Sequence, residues 1–498
     1  MSLERAAIAA NRFGFGATPG LLQKIKSDPR GWLLEQIARD VPVPPPIASL
    51  PPTGADHLAL HLVRRPALPR EGYGKDEQRQ PAMEPRMPGQ QGAGMSGEAG
   101  QGLELIARMR TARMSAALAA RFETAIQTAS PFRERLVHFW SNHFVVSAAK
   151  ATAFAMPASF ERDVARKHVG HRFEAMLVAS TKHPAMLFYL DNYLSIGPNS
   201  QWARDPSRVP VVSQGIGRPQ GLNENLAREI LELHTIGVNG GYTQADVTNF
   251  AKVITGWRYD LRQRRAGDLA AVARKSADDV FYFNAAAHEP GPQVVLGKTY
   301  AGDGVEKGLS VLRDLARLPQ VAEFVARKLA RHFIADEPPA AAVASLARAF
   351  RDSDGDLPSV YRALVEAPEA WDPSLRKTKR PEEFLVSTMR ALGGPKLEGA
   401  HLLRLLQQMG QPAFSPSGPD GWPDNGAFWS GADALWKRIE WATLAAERQA
   451  PARPDPAALA IDVLGPLVSE KTLAEIRRAE SPEQGLALFL VSPEFMRR

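Results

Sequence analysis

The chain has 498 residues, is 44% hydrophobic and carries a formal charge of +7 with basic and acidic residues interspersed. That supports one large domain or two or three smaller ones, and the lack of a concentrated basic stripe argues against a dedicated nucleic-acid binder. Cysteine is absent, which excludes disulfides, thiolate nucleophiles, Fe–S clusters and cysteine-ligated zinc.

The N-terminal residues MSLERAAIAANRFGFGATPG contain no long apolar core followed by a cleavage site, so no secretory signal is read there. No segment offers the ~18–20 apolar residues of a membrane span, and the default expectation is a cytoplasmic protein. Leu3 to Phe13 has the spacing of a short amphipathic helix, and Thr18-Pro19 suits the start of a second helix through Ile37. A proline-rich connector and a helical piece near Asp56–Val63 complete an N-terminal section, residues 1–64. Residues 65–102 are dense in Pro, Gly, Gln and charge. Such a composition buries too little apolar surface to offset its ordering entropy, so a flexible loop is expected.

Residues 103–498 read as a helical core that packs with 1–64 as one unit. Helices are expected up to Thr128, from Pro131 through PFRERLVHFWSNHFVV, over Ala155 to Arg166 and over Phe173 to Ser180, with His183-Pro184 opening a further one. Asp279–Asn284 and Gln293–Leu296 favour extended structure and place His288 and Glu289 on a turn between them, a β-hairpin near 279–300. Helices then resume, interrupted from Phe414 to Trp429 by a loop rich in Pro, Gly and Trp that reads as a packing plug or one wall of a pocket. The fold class is therefore mainly α: a large multi-helical domain with a small β-hairpin insertion.

The stretch from Gly221 to Trp257 holds the densest set of chemically able side chains. On a helical wheel of ~100° per residue, Asn225, Arg228, Glu229, Glu232 and Thr235 share one arc, while Leu226, Ile230, Leu233 and His234 lie opposite. Gly237 stops the helix, and Thr243 with Asp246 forms a capping-box start for the next. Two readings of the polar arc stand. It is a solvated face of i,i+4 pairs, Glu224–Arg228 and Arg228–Glu232, or it turns inward and offers Glu229 and Glu232 as paired carboxylates.

No phosphate loop, dinucleotide fingerprint, HExxH or GxSxG is present. His138 and His143 are ~140° apart on a straight helix and do not face one ion together. Imidazole and carboxylate from several helices are acceptable ligands for iron, zinc or manganese, so a set drawn from His143, Glu229, His234 and His288 is chemically coherent, although no spacing demands it. His332 reads as a packed core histidine.

NRFGFGATPG, LVHFWSNHF, NENLAREILELHTIGVNGGYTQADV with ITGW, HEPG followed by VLG, and GQPAFSPSGPDGWP together resemble the bacterial domain-of-unknown-function family 1800, in the right order along nearly the whole chain. The resemblance implies one large, mostly helical unit and brings no settled activity. It also implies a shared polar site, because the family pattern has polar or histidine residues at His138, His143, Asn223, Glu224, Arg228, Glu229, Glu232, His234, Tyr242 and His288. Leu226 and Glu289 depart from it, standing where the family often has tyrosine and aspartate. Members are often found with a sulfatase-like family that carries export signals, which implies an exported partner and a route out of the cytoplasm with it.

The reading that follows is a metal-dependent enzyme with His143, Glu229, His234 and His288 as ligands of a transition metal ion. Arg228 would bind a carboxylate or anionic substrate, and Glu232 or Tyr242 would move protons. Oxidoreductase chemistry leads and metal-assisted hydrolysis is the alternative. The reading from another class is a non-catalytic binding or assembly protein, whose polar residues tie buried helices together.

Overall fold

Proline opens many of the helices. Pro131–His143, Pro319–Phe333, Pro381–Leu392 and Pro482–Val491 each carry it in the first turn, where its missing N–H removes no intrahelical bond. Pro319–Phe333 buries Val321, Ala322, Val325, Ala326, Leu329, Ala330 and Phe333, the one-sided spacing of an amphipathic helix. It packs on Ala340–Asp352, which packs on Leu357–Glu366. The computed structural model describes residues 3–37, 40–63, 97–150, 153–209, 221–259, 269–393, 397–449 and 455–498.

Pro131–His143 is the helix the others surround. It is buried from Pro131 through Trp140 and again at His143, with Arg133, Glu134, Arg135 and His138 enclosed among its aromatic residues. Phe132 meets Phe13 and Phe333 edge-on, with ring centroids 5.5 and 5.6 Å away. The Trp140 indole N–H donates to the Tyr361 hydroxyl at 2.6 Å. One apolar cluster runs from Ala6 to Phe495 through this helix, so the N-terminal section and the helical core share their interior.

The NRFGFG block is explained by what it plugs. Arg12 donates to the carbonyls of Ala370 (2.8 Å) and Ser374 (2.6 Å). The carbonyl of Gly14 accepts from Arg135 at 2.5 Å and that of Gly16 from Arg390 at 3.0 Å. Terminal guanidinium nitrogens of Arg12, and guanidinium nitrogens of Arg135 and Arg390, thus donate to backbone oxygens far away in sequence.

The chain is mainly α with a small β insertion, as expected, but the two extended runs do not pair with each other. Strand β1 (Trp257–Tyr259) pairs antiparallel with β2 (Phe281–Phe283), and β3 (Gln293–Val295) with β4 (Lys298–Tyr300). The second pair closes on itself because Leu296 and Gly297 both have positive φ, 50° and 75°, the requirement of a two-residue hairpin turn. Gly256, at φ 78°, turns the chain from the preceding helix into β1, which then collects β2.

Of the expected flexible loop at 65–102, residues up to 96 lie outside the described part. From Gly97 the chain is helical through Gln127, so residues 97–102 open a helix instead of closing a loop. Among the described residues no helix is long and apolar enough to cross a membrane.

Candidate functional site

The helix carrying the polar arc is α-helical over Asn225–Glu229 and π-helical over Ile230–Thr235. A π turn inserts an extra residue per turn, which shifts the register that a regular wheel assumes. Thr235, placed on the polar arc by the wheel, is buried and donates to the Ile230 carbonyl at 2.5 Å, and Leu231 is fully buried where Leu233 was expected. The helix stops at Gly237 with φ 82°. Thr243 and Asp246 form the predicted capping box.

Both readings of the arc hold, for different residues. Arg228 is the solvated one. It reaches Glu224 at 3.2 Å, Glu232 at 3.3 Å and Gln244 at 2.9 Å, with about a third of its side chain exposed. Glu229 turns inward. Its Oε2 is buried and has no hydrogen-bond partner among the described residues. Burial, then the neighbouring Glu232 carboxyl, push Glu229 up to about 7, with Arg228 opposing and Asp420 adding to the rise. Tyr242 is raised to about 12 by burial and by its hydrogen bond to Glu232, and Tyr189 likewise by burial and the charge of Glu229. Glu229 thus feels the charges of Glu232, Arg228 and Asp420, and its own charge reaches Tyr189 and Tyr242.

The imidazoles do not join them as a ligand set. His143 directs Nε2 at the backbone carbonyl of His234, 3.1 Å away. Its ring lies among Trp140, Phe144, Phe173 and Phe324. His143 and His234 have ring centroids 6.2 Å apart, and burial lowers both, His234 to about 3. His288 belongs to a different junction: its Nδ1 meets the Thr255 carbonyl at 2.9 Å and its ring abuts Phe283 of β2. The adjacent Glu289 accepts from the backbone and side-chain amides of Asn199 at 2.8 and 2.6 Å. Among the described residues no three His, Asp or Glu side chains come together to hold a metal ion. Of the expected set His143, Glu229, His234 and His288, the structure brings His143 and His234 side by side and turns His143 and His288 each toward a backbone carbonyl in separate parts of the fold.

What the sequence did not reveal is a lattice of buried ion pairs beside the Pro131–His143 helix. Glu134 takes both guanidinium nitrogens of Arg166, at 2.6 and 2.7 Å. Arg166 also reaches Glu161 at 3.3 Å, and Glu161 pairs with Arg121, which holds Glu382 at 2.6 Å. His138 lies between, with Nε2 3.4 Å from Glu134 and Nδ1 3.6 Å from Glu382. Burial alone would raise Glu134, but the Arg166 guanidinium overrides it and holds the carboxyl well below its usual range. Deeper in, Glu383 gathers Arg135 (2.6 Å), Arg498 (3.3 Å) and Arg380 (3.5 Å), while Asp424 meets His332 at 2.8 Å. A cavity of about 60 Å³, lined by Arg121, His138, Glu161, Arg380, Glu382 and Trp422 among others, opens onto this lattice. The available signal was the Pro131–His143 segment itself, where charges alternate with aromatic residues on every side of the helix and leave no polar face.

The Phe414–Trp429 loop bears on both places. Its Trp422 lines the cavity and Asp420 acts on Glu229. It is clamped by Asn142, whose side chain donates to the Trp422 carbonyl at 2.8 Å and accepts from the Trp422 N–H at 2.7 Å. Gly421 has φ 79°, and a Cβ there would stand 2.4 Å from the Asn142 carbonyl oxygen. Gly421→Ala is expected to lower stability by about 2 kcal/mol through backbone strain and steric displacement. Urea unfolding checks this, and unchanged stability would mean that the loop yields.

No curated protein and no solved structure matches the chain. One family model matches residues 8–497, nearly the whole sequence, and contains every residue discussed above except those before Ile8 and Arg498. The chain belongs to the family described as protein of unknown function, DUF1800.

Proposed function

We propose that this protein is an enzyme that works by proton transfer at Glu229, with hydrolysis as its reaction class. The observation that carries the reading is a half-buried carboxyl brought to about 7 by burial and a second carboxyl beside it, with one oxygen free of protein partners among the described residues. A group with that pKa donates and accepts a proton with similar ease near neutral pH, which is what general acid–base catalysis requires. Glu229 is the acid–base residue, Arg228 binds an anionic part of the substrate, and Glu232 with Tyr242 relays the proton. The oxidoreductase and metal-assisted versions draw on His143, Glu229, His234 and His288, of which His143 and His288 direct a ring nitrogen at separate backbone carbonyls.

The test compares the wild type with Glu229→Gln on chromogenic ester, amide, glycoside and phosphoester substrates, with Glu229 titrated by infrared difference spectroscopy. The expected outcome is turnover with a pH profile breaking near 7, reduced about 10²–10⁴-fold in the variant. Equal turnover by both proteins, or none by either with Glu229 titrating as an ordinary carboxyl, removes the reading.

The second reading is a binding or assembly protein that acts with a sulfatase-like exported partner. It is favoured by the ion-pair lattice, whose carboxylates are matched internally and tie helices together. Cell fractionation with and without that partner tests it: partner-dependent export supports it, and the same compartment in both strains ends it.

A further inference from the structure

Arg438 extends from the helix Ala432–Gln449 into the interior and is 0% exposed. None of its three side-chain nitrogens meets an acceptor among the described residues. Lys379, 1% exposed, shares this condition at its Nζ. Both cations rest on one aromatic floor. The Arg438 Cζ is 5.7 Å from the Phe384 ring centroid and the Lys379 Nζ is 4.4 Å from that of Phe495. Phe384 and Phe495 meet edge-on with centroids 6.2 Å apart, and Trp441 lies 5.6 Å from Phe384. Lys379 is pinned from behind by its backbone N–H, which donates to the Met496 carbonyl at 2.9 Å.

The acid whose charge reaches both groups is Glu383, and it is already engaged by Arg135, Arg380 and Arg498. Aromatic faces attract cations but leave most of the five guanidinium and three ammonium N–H donors without lone pairs. Buried donors in native proteins find partners as a rule. Water would accept the hydrogen bonds and leave two like charges in one low-dielectric interior, each on a ring of the Phe384–Phe495 pair, whereas an anion answers both needs.

We propose that Lys379 and Arg438 form a buried binding site for a small monovalent inorganic anion, walled by Phe384, Phe495 and Trp441. The site shares no residue with the surroundings of Glu229 and stands independently of the function assigned there. It carries a pH signature. Burial, then the charges of Arg135, Arg498 and Arg438, bring the Lys379 amine down to about 7 against the pull of Glu383. An anion favours the protonated amine, so binding takes up a proton and weakens as pH rises above 7.

Thermal unfolding of the full chain in sodium chloride, against sodium gluconate at equal ionic strength, provides the test. The expected result is a midpoint that rises saturably with chloride by about 2 °C or more, more at pH 6.5 than at pH 8. Arg438→Met and Lys379→Met abolish the dependence. Crystals soaked in bromide show an anomalous peak within hydrogen-bonding reach of both side chains. Equal midpoints in the two salts overturn the proposal, as does an Arg438→Met protein more stable than the wild type in both, since removing an unpaired buried cation relieves the fold. If Arg438→Met does not fold, Lys379→Met and the wild-type bromide map decide, and a map without a peak overturns the proposal.

Discussion

Glu383→Gln is expected to lose about 3–5 kcal/mol of stability, the range found when one partner of a buried ion pair is removed. The carboxylate is 3% exposed, and the guanidinium groups of Arg135, Arg498 and Arg380 converge on it. Burial works against its ionised form, yet those three charges hold it well below the ordinary carboxylate range. Glutamine keeps the volume and one acceptor oxygen but leaves the guanidinium charges facing one another. Arg228→Gln is the control, because its pairs with Glu224 and Glu232 are partly exposed and worth about 0–1 kcal/mol. Urea unfolding of both variants measures the contrast. A Glu383→Gln protein within 1 kcal/mol of the wild type, as the control is expected to be, would show that the lattice is bypassed.

Acid is the second large effect. His143 and His234 are buried among aromatic rings with Lys328 nearby, and both are held below the ordinary histidine value, His234 at about 3. In the unfolded chain each titrates near 6.5. Below that pH the unfolded state binds more protons, so stability is intact above about 6.5 and falls as pH drops toward 3. Each such group contributes a slope of up to about 1.4 kcal/mol per pH unit below 6.5. His332, also held at about 3, adds to it, and the raised carboxyls of Glu229 and Asp56, both at about 7, oppose it down to about pH 4.5. The carboxylates Glu134, Glu383 and Asp424, all held low in the fold, add to the loss only below about pH 4.5. A pH series of urea unfolding reads the slope directly. His234→Phe should lower the slope by about 1.4 kcal/mol per pH unit, and a slope unchanged by that substitution would assign acid sensitivity elsewhere.

Local chemistry was legible where it is decided by a few adjacent residues. The Thr243–Asp246 box and the Gly237 stop appear as read. His183 caps the Pro184–Tyr189 helix, with Nδ1 accepting from the Ala185 N–H at 3.1 Å. The core placement of His332 also holds, although its partner Asp424, 92 residues away, had no sequence signal. Of the two uses expected for the Phe414–Trp429 loop, the wall of a cavity is the one observed. The π turn at Ile230–Thr235 escaped because a wheel assumes one fixed period, and Thr235 and Leu233 were misplaced as a result. The ion-pair lattice escaped for a different reason. Arg and Glu at helical spacing normally describe a wet surface, and only tertiary packing reveals that Glu134, Arg166, Arg121 and Glu382 close on one another. The orientation of the candidate ligands was illegible for the same reason: the backbone decides where donors on separate elements point, and it turns His288 toward Thr255.

The contacts of the NRFGFG turn bear on how the molecule is made. Arg12 is satisfied by a carbonyl 358 positions away, and the carbonyl of Gly16 by a guanidinium 374 positions away. Loops of that size close slowly, and non-local pairing sets the pace of folding. A nascent chain therefore leaves the ribosome with its first turn unmatched until most of the polypeptide has been synthesised. Interrupted translation should yield fragments that chaperones hold and proteases clear, and a library of truncations should contain few soluble members.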